Sequence, residues 1–200
     1  MIVVVEGISA AGKTSWCRKH AAGQIVEEAS PTLPVPDRES EPERAAAFWI
    51  EQNARRWQLA VEMEPLTSLA VCDSDPLKLH YSYGLWRIGW LAEEHWQLER
   101  DLTRRAVRDG RLGFADLYLV KPIAPDAARR QRDSDPSRTR RNFELHVRLG
   151  PPLIEWYRAV EAILPGRVRW DFPEQGIPAA DPRARDEDAQ LFDALIGRLP

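Results

Sequence analysis

An apolar, β-branched run, Ile2-Val3-Val4-Val5, leads almost directly into Gly7-Ile8-Ser9-Ala10-Ala11-Gly12-Lys13-Thr14. The second stretch reads G-x-x-x-x-G-K-T, the phosphate-binding P-loop pattern. The first reads as a buried parallel strand. Residues 13–22 read as a helix, which completes the strand–loop–helix context that the motif requires. This one feature narrows the fold to an α/β architecture.

The residue types follow from the chemistry of a triphosphate, which needs many donors at close range. The glycines let the backbone wrap the anion. Candidate contacts are the backbone of Gly7, Ser9, Ala10, Ala11, Gly12, Lys13, Thr14 and Ser15, at the positive end of the following helix. Lys13 is expected to reach the β- and γ-phosphates of ATP, and the Thr14 hydroxyl to bind Mg²⁺.

At 200 residues the chain suits one α/β domain, 1–200, with a sizeable core. The net charge of -3 gives no basic excess, so nucleic acid is not an expected partner. No apolar run approaches spanning length, so no membrane is expected. The first strand enters the motif directly and does not read as a signal peptide. Cys17 and Cys72 lack metal-ligand spacing and read as reduced, small apolar residues, hence a cytoplasmic protein. Eight tryptophans imply a packed aromatic core or a pocket with flat walls.

Gln24-Ile25-Val26-Glu27-Glu28 reads as a second strand ending in acids. Ligands of a parallel sheet bind beyond the carboxyl ends of its strands. Glu27 or Glu28 therefore stands where an attacking hydroxyl could be deprotonated. Residues 30–43 carry four prolines and read as a surface loop bordering the site. Residues 44–63 read as a long helix. Phe48, Gln52, Arg55 or Arg56, and Leu59 fall near one face, and Trp49, Asn53 and Trp57 on a neighbouring one. Aromatics beside an amide suit a flat polar acceptor. Residues 67–73 read as a third strand ending in Asp73, a Walker B arrangement for Mg²⁺. Asp75 reads equally as a helix cap, and His80 as a structural histidine. Residues 77–108 read as mainly helical, with an aromatic stretch around Tyr81–Trp86 as pocket wall.

A fourth strand spans 114–120. Six arginines then fall between Arg129 and Arg141 in an otherwise mildly acidic chain. Such a cluster calls for an anionic partner, which with a P-loop is the transferring phosphate. The expectation is an arginine-bearing lid over about 126–142. A helix over 143–163, interrupted at Pro151-Pro152, a fifth strand over 167–172 and a final helix over 187–199 complete the reading.

The order of elements and these residues resemble the P-loop nucleoside and nucleotide kinases, most closely the deoxynucleoside kinase and thymidylate kinase group. The resemblance implies a three-layer fold with a mainly parallel five-stranded sheet, helices on both faces and an arginine-rich lid. It implies transfer of the γ-phosphoryl group of ATP to a hydroxyl or phosphate of a nucleoside- or nucleotide-like acceptor. Glu28 matches the catalytic glutamate, and Gln52 or Gln58 the base-reading glutamine, with Trp49 beside it. Asp73 matches the acid of the third strand, but Ser74 stands where the group has an arginine. The lid arginines are matched by Arg129, expected at ATP, by Arg130 and Arg132, expected at the transferring group, and by Arg138, expected at the acceptor. Many members are dimers, so a homodimer is among the expected assemblies. An ATPase or a nucleotide-binding regulatory module acting on a protein partner is the alternative class.

Overall fold

The computed structural model describes residues 1–30, 34–134 and 142–200. Among these, five strands form one sheet in the order β2-β3-β1-β4-β5, with every neighbouring pair parallel. The strands are β1 (Ile2–Glu6), β2 (Ile25–Val26), β3 (Ala70–Asp73), β4 (Leu117–Val120) and β5 (Val168–Arg169). The helices are α1 (Lys13–His20), α2 (Pro42–Thr67), α3 (Leu79–Arg87), α4 (Glu93–Arg108), α5 (Pro125–Asp133), α6 (Phe143–Arg148), α7 (Gly150–Ile163) and α8 (Asp188–Ile196).

Alternation along β1 divides the core into two layers. Val3 and Val5 pack with Trp16 and Cys17 of α1 and with Leu117 and Leu119. Ile2 and Val4 point to the opposite face, into a larger cluster with Trp57, Tyr83, Trp96, Trp156 and Phe192. A strand covered on both faces needs apolar residues at every position. This is why Ile2-Val3-Val4-Val5 shows no polar alternation. The expected three-layer α/β architecture is present.

Several boundaries differ from the sequence reading. The third strand begins at Ala70, not Thr67, because α2 runs on through Thr67. Pro65 lies in the last turn of α2, and Ser68 ends the helix in the left-handed region at φ 61°. The second and fifth strands each shorten to two residues. The stretch 77–108 divides into α3 and α4 at Gly89, whose φ of 71° favours glycine. The break near Pro151 falls between α6 and α7, with proline in the first turn of α7.

The tryptophans serve both expected purposes. Trp86 stacks on Trp96, with ring centroids 5.8 Å apart, and Tyr83 packs against both and against Trp156. Trp49 lines a cavity instead. Both cysteines are buried, and burial pushes each thiol up to about 12.

Candidate active site

The carboxyl ends of β1, β2 and β3 meet at the P-loop. Gly12, at φ 91°, adopts a backbone conformation open to glycine, and it starts α1. Gly7 is required for a different reason. A Cβ there would lie 2.8 Å from Ala11 Cβ and 3.1 Å from the Lys121 carbonyl oxygen. The first turn of α1 carries no acidic residue, so its N–H groups remain available to an anion. Lys13 folds back over the loop, donating to the Gly7 carbonyl at 2.7 Å.

Glu6, at the end of β1, is a buried carboxylate directly beneath this loop. It accepts from the Gly7 N–H at 2.8 Å, the Ser74 hydroxyl at 2.8 Å and the Asp75 N–H at 3.0 Å. Lys13 Nζ is 3.8 Å away and His80 Nε2 3.4 Å. Burial opposes the Glu6 charge, but His80, Lys13 and Lys78 outweigh it and hold its pKa below the usual carboxylate range. Burial pushes His80 down to about 4, so the imidazole beside Glu6 is neutral at neutral pH.

Arg56, buried on α2, ties two strand ends together. It donates to the carbonyls of Glu27 at 2.8 Å, Asp73 at 2.8 Å and Ser74 at 2.6 Å. The planar fork of a guanidinium suits such a staple. It fixes the backbone before Glu28 relative to that of Asp73. Lys78, preceding α3, completes the arrangement by donating to Glu28 Oε1 at 2.7 Å. The Lys78 charge, which outweighs burial, lowers the Glu28 pKa.

Asp73 and Thr14 adjoin each other. Burial raises the Asp73 pKa, and the Thr14 side chain partly offsets this by hydrogen bonding. Asp73 Oδ1 is buried without a partner. An unpartnered carboxylate oxygen beside a hydroxyl is a hard-oxygen donor pair of the kind that suits Mg²⁺, which takes one or two protein ligands plus phosphate oxygens. The residues present therefore fit that ion.

One cavity of about 470 Å³ joins these parts. Its walls include Gly7, Ser9 and Lys13 of the P-loop, together with Glu28, Trp49, Asn53, Arg56, Lys78, Tyr81 and His146. The volume lies within the range of small-molecule sites, about 300–1,000 Å³. Of the residues expected from sequence, Lys13, Glu28 and Trp49 thus face one space. Gln52 lies outside this lining, and its neighbour Asn53 supplies the amide. Gln58 is exposed and donates to Glu62 instead. Glu27 is exposed and likewise lies outside the lining.

Comparison with solved structures gives deoxyadenosine kinase from M. mycoides with bound dATP, at a TM-score of 0.61 and 12% identity, over 86% of this chain and 91% of that one. The same enzyme with bound dCTP gives 0.59 and 13%, over 86% and 90%. A third structure of it, with products dCMP and a flexible dCDP, gives 0.58 and 10%, over 100% and 98%. The chain has a P-loop nucleoside-kinase-like fold. No protein-family model matches the sequence, and no curated protein matches it either.

Of the arginines expected in a lid, Arg129, Arg130 and Arg132 are described, and these three stand apart from the cavity lining. Arg129 and Arg132 on α5 both reach Glu144 on α6, at 2.8 and 3.3 Å, and Arg132 covers the Phe143 ring at 4.5 Å. Arg130 is exposed, with no ion-pair partner among the described residues. Arg138 lies outside the described residues. No described helix is long and apolar enough to cross a membrane.

Around the strand ends, Glu6 and Lys78 escaped the sequence reading, and Arg56 was left open beside Arg55. An acid closing an apolar strand just before the P-loop was a usable signal for Glu6. Arg56 was one of two arginines on a helix face, and only the fold separates it from exposed Arg55. Lys78 had no signal, since its role depends on α3 starting beside β2.

Proposed function

We propose that the protein is an ATP-dependent kinase that transfers the γ-phosphoryl group to a hydroxyl of a nucleoside-like small molecule. The observation that carries this is the shared cavity of Lys13 and Glu28. One residue binds the phosphate donor and the other meets the acceptor. The likeness in fold to the deoxyadenosine kinases supports the same reading.

A hydroxyl is favoured over a phosphate by charge. Lys78 is paired with Glu28, Arg38 with Glu99, and Arg56 with three carbonyls. An acceptor phosphate would add negative charge beside Glu28, where the described cations are already engaged. A hydroxyl would instead donate to the Glu28 carboxylate.

Lys13 leaves the Gly7 carbonyl to bind the β- and γ-phosphates with the loop N–H groups. Glu28, kept ionised by Lys78, accepts the acceptor hydroxyl's hydrogen bond, orients the oxygen for in-line attack and takes its proton as the bond to phosphorus forms. Thr14 and Asp73 would hold Mg²⁺, which would offset phosphate charge. Arg130 and Arg132 would approach the transferring group through movement of α5, with Arg129 at ATP and Arg138 at the acceptor. Phosphoryl transfer depends mainly on positioning and electrostatics, and these groups supply both.

Mass spectrometry of the acceptor after incubation with ATP and Mg²⁺ tests the reading. The expected product carries one added phosphate on a hydroxyl. Release of inorganic phosphate with every acceptor unmodified would contradict it.

A further inference from the structure

The cavity has a second polar group of residues, away from the strand ends. Glu99 on α4 accepts a hydrogen bond from the buried Ser82 hydroxyl on α3. Its other oxygen faces Arg38 Nη2 at 3.3 Å. The Arg38 guanidinium carbon lies 6.0 Å from the Tyr81 ring centroid. Arg38, Tyr81, Ser82 and Glu99 all line the cavity.

The two partners of this ion pair are held differently. Glu99 is anchored by a hydrogen bond between two helices. Arg38 comes from the loop before α2, in a turn that Asp37 closes by accepting from the Glu39 and Ser40 N–H groups. Its long side chain therefore places a planar, N–H-bearing cation between a fixed carboxylate and an aromatic face. Guanidinium groups and amino-substituted rings share flatness and in-plane N–H donors.

Asn53 adds an opposite polarity. Its carbonyl accepts from Arg56 Nη1 at 3.3 Å, which leaves the amide N–H groups for a ligand. Trp49 supplies a further flat surface. The wall thus offers a carboxylate acceptor, an amide donor and aromatic faces.

We propose that Glu99 is the specificity-determining residue of the acceptor cavity and that Arg38 is its displaceable internal occupant. The acceptor carries a planar heterocycle with an exocyclic amino group. That group displaces Arg38 and donates to Glu99, while another edge of the ring accepts from the Asn53 amide. The proposal rests on the kinase reading for the word acceptor, but binding tests it without turnover.

Calorimetric titration of the full chain with adenosine and with purine riboside, which differ by one amino group, is the direct experiment. Cytidine and 2-pyrimidinone riboside form a second pair. In at least one pair the amino-bearing compound is expected to bind about tenfold tighter or more, because only the amino group replaces the N–H that Arg38 presents to Glu99. Glu99→Gln should reduce that ratio at least about threefold, since a neutral acceptor makes the weaker bond. Arg38→Ala should tighten the amino-bearing compound by about threefold or more, because no resident group must be displaced. ATP affinity, measured in the same preparations, should be unchanged and reports an intact fold.

Equal binding within both pairs, absence of binding included, would overturn the proposal. So would a ratio that survives Glu99→Gln, or weaker binding in Arg38→Ala, with ATP affinity intact. Failure of the kinase reading looks different: the binding pattern appears as expected, and no phosphate is transferred.

Discussion

Lys78 Nζ donates to Glu28 Oε1 across 2.7 Å and also lies within hydrogen-bonding distance of the Ser74 hydroxyl. Ser74 in turn donates to Glu6, which accepts from the P-loop at Gly7. A continuous polar chain thus runs from the phosphate-binding loop to the carboxylate expected at the acceptor. Lys78 itself sits in the left-handed region at φ 49°, a strained position for a lysine and one that places its side chain over Glu28.

Removing this ammonium should change the pH profile. The Lys78 charge lowers the Glu28 pKa, so activity that needs the carboxylate persists below the usual carboxylate range. In Lys78→Met the folded pKa rises, and the acidic limb of kcat/KM moves to higher pH. A loss of about tenfold or more in kcat at neutral pH should accompany it. Lys78→Arg should restore the position of the limb. An acidic limb unmoved in Lys78→Met would show that Glu28 does not govern it.

Arg56 has a structural consequence that exposed Arg55 lacks. Arg56→Met leaves three carbonyls without their donor, those of Asp73 and Ser74 in buried hydrogen bonds, at a cost of about 3 kcal/mol. Denaturant unfolding should report that loss, while Arg55→Met should change stability by less than about 0.5 kcal/mol. Equal effects from the two substitutions would contradict the role assigned to the staple.

These two residues show where sequence reading reached its limit. The P-loop was legible because its geometry is local: Gly7 and Gly12 meet steric demands set by their own turn and one neighbouring strand. The parallel sheet was legible because β1 is apolar at every position. Asp73 and the pair Glu27 and Glu28 followed from the rule that sites form beyond strand ends, and the family resemblance pointed to Glu28. Gln52 and Asn53 were placed on neighbouring faces of one helix, about 100° apart, and which face lines the cavity depends on a wall that only the fold supplies. The Glu99–Arg38 pair was beyond reach, since it joins a loop to a helix some sixty positions away. The end of α2 was misjudged because Pro65 falls in a last turn, where little of the hydrogen-bond ladder remains to be broken.

Asp73 separates stability from activity. Burial raises its pKa in the folded protein. A carboxyl raised on folding is stabilising below its unfolded pKa and loses that contribution as pH rises through the folded value. Asp73→Asn should therefore melt no lower than the parent protein at neutral pH, with any advantage shrinking toward acidic pH. Turnover should fall about 100-fold. Thermal melting without ligand and turnover with ATP and Mg²⁺ check the two halves. A strongly destabilised variant would show that the carboxylate serves the fold.

The arginines of α5 should give a similar combination of effects, with little pH dependence in the stability half. Arg132 is paired with Glu144 and Asp133 at the surface, where ion pairs contribute little to stability. Arg132→Ala should leave the melting temperature nearly unchanged while lowering kcat about 100-fold, with little change in KM for the acceptor. Unchanged kcat would remove Arg132 from the transfer step and leave it an anchor between α5 and α6.

The most direct test of the central claim is acceptor-dependent ADP formation. ATP and Mg²⁺ are presented with a panel of nucleosides, nucleoside monophosphates and other small hydroxyl compounds, for the parent protein and for Lys13→Ala. The account predicts slow ADP formation without acceptor, strong stimulation by a hydroxyl-bearing compound, and loss of that stimulation in Lys13→Ala. Rapid ADP formation that no acceptor changes would contradict it, and would make the protein an ATPase.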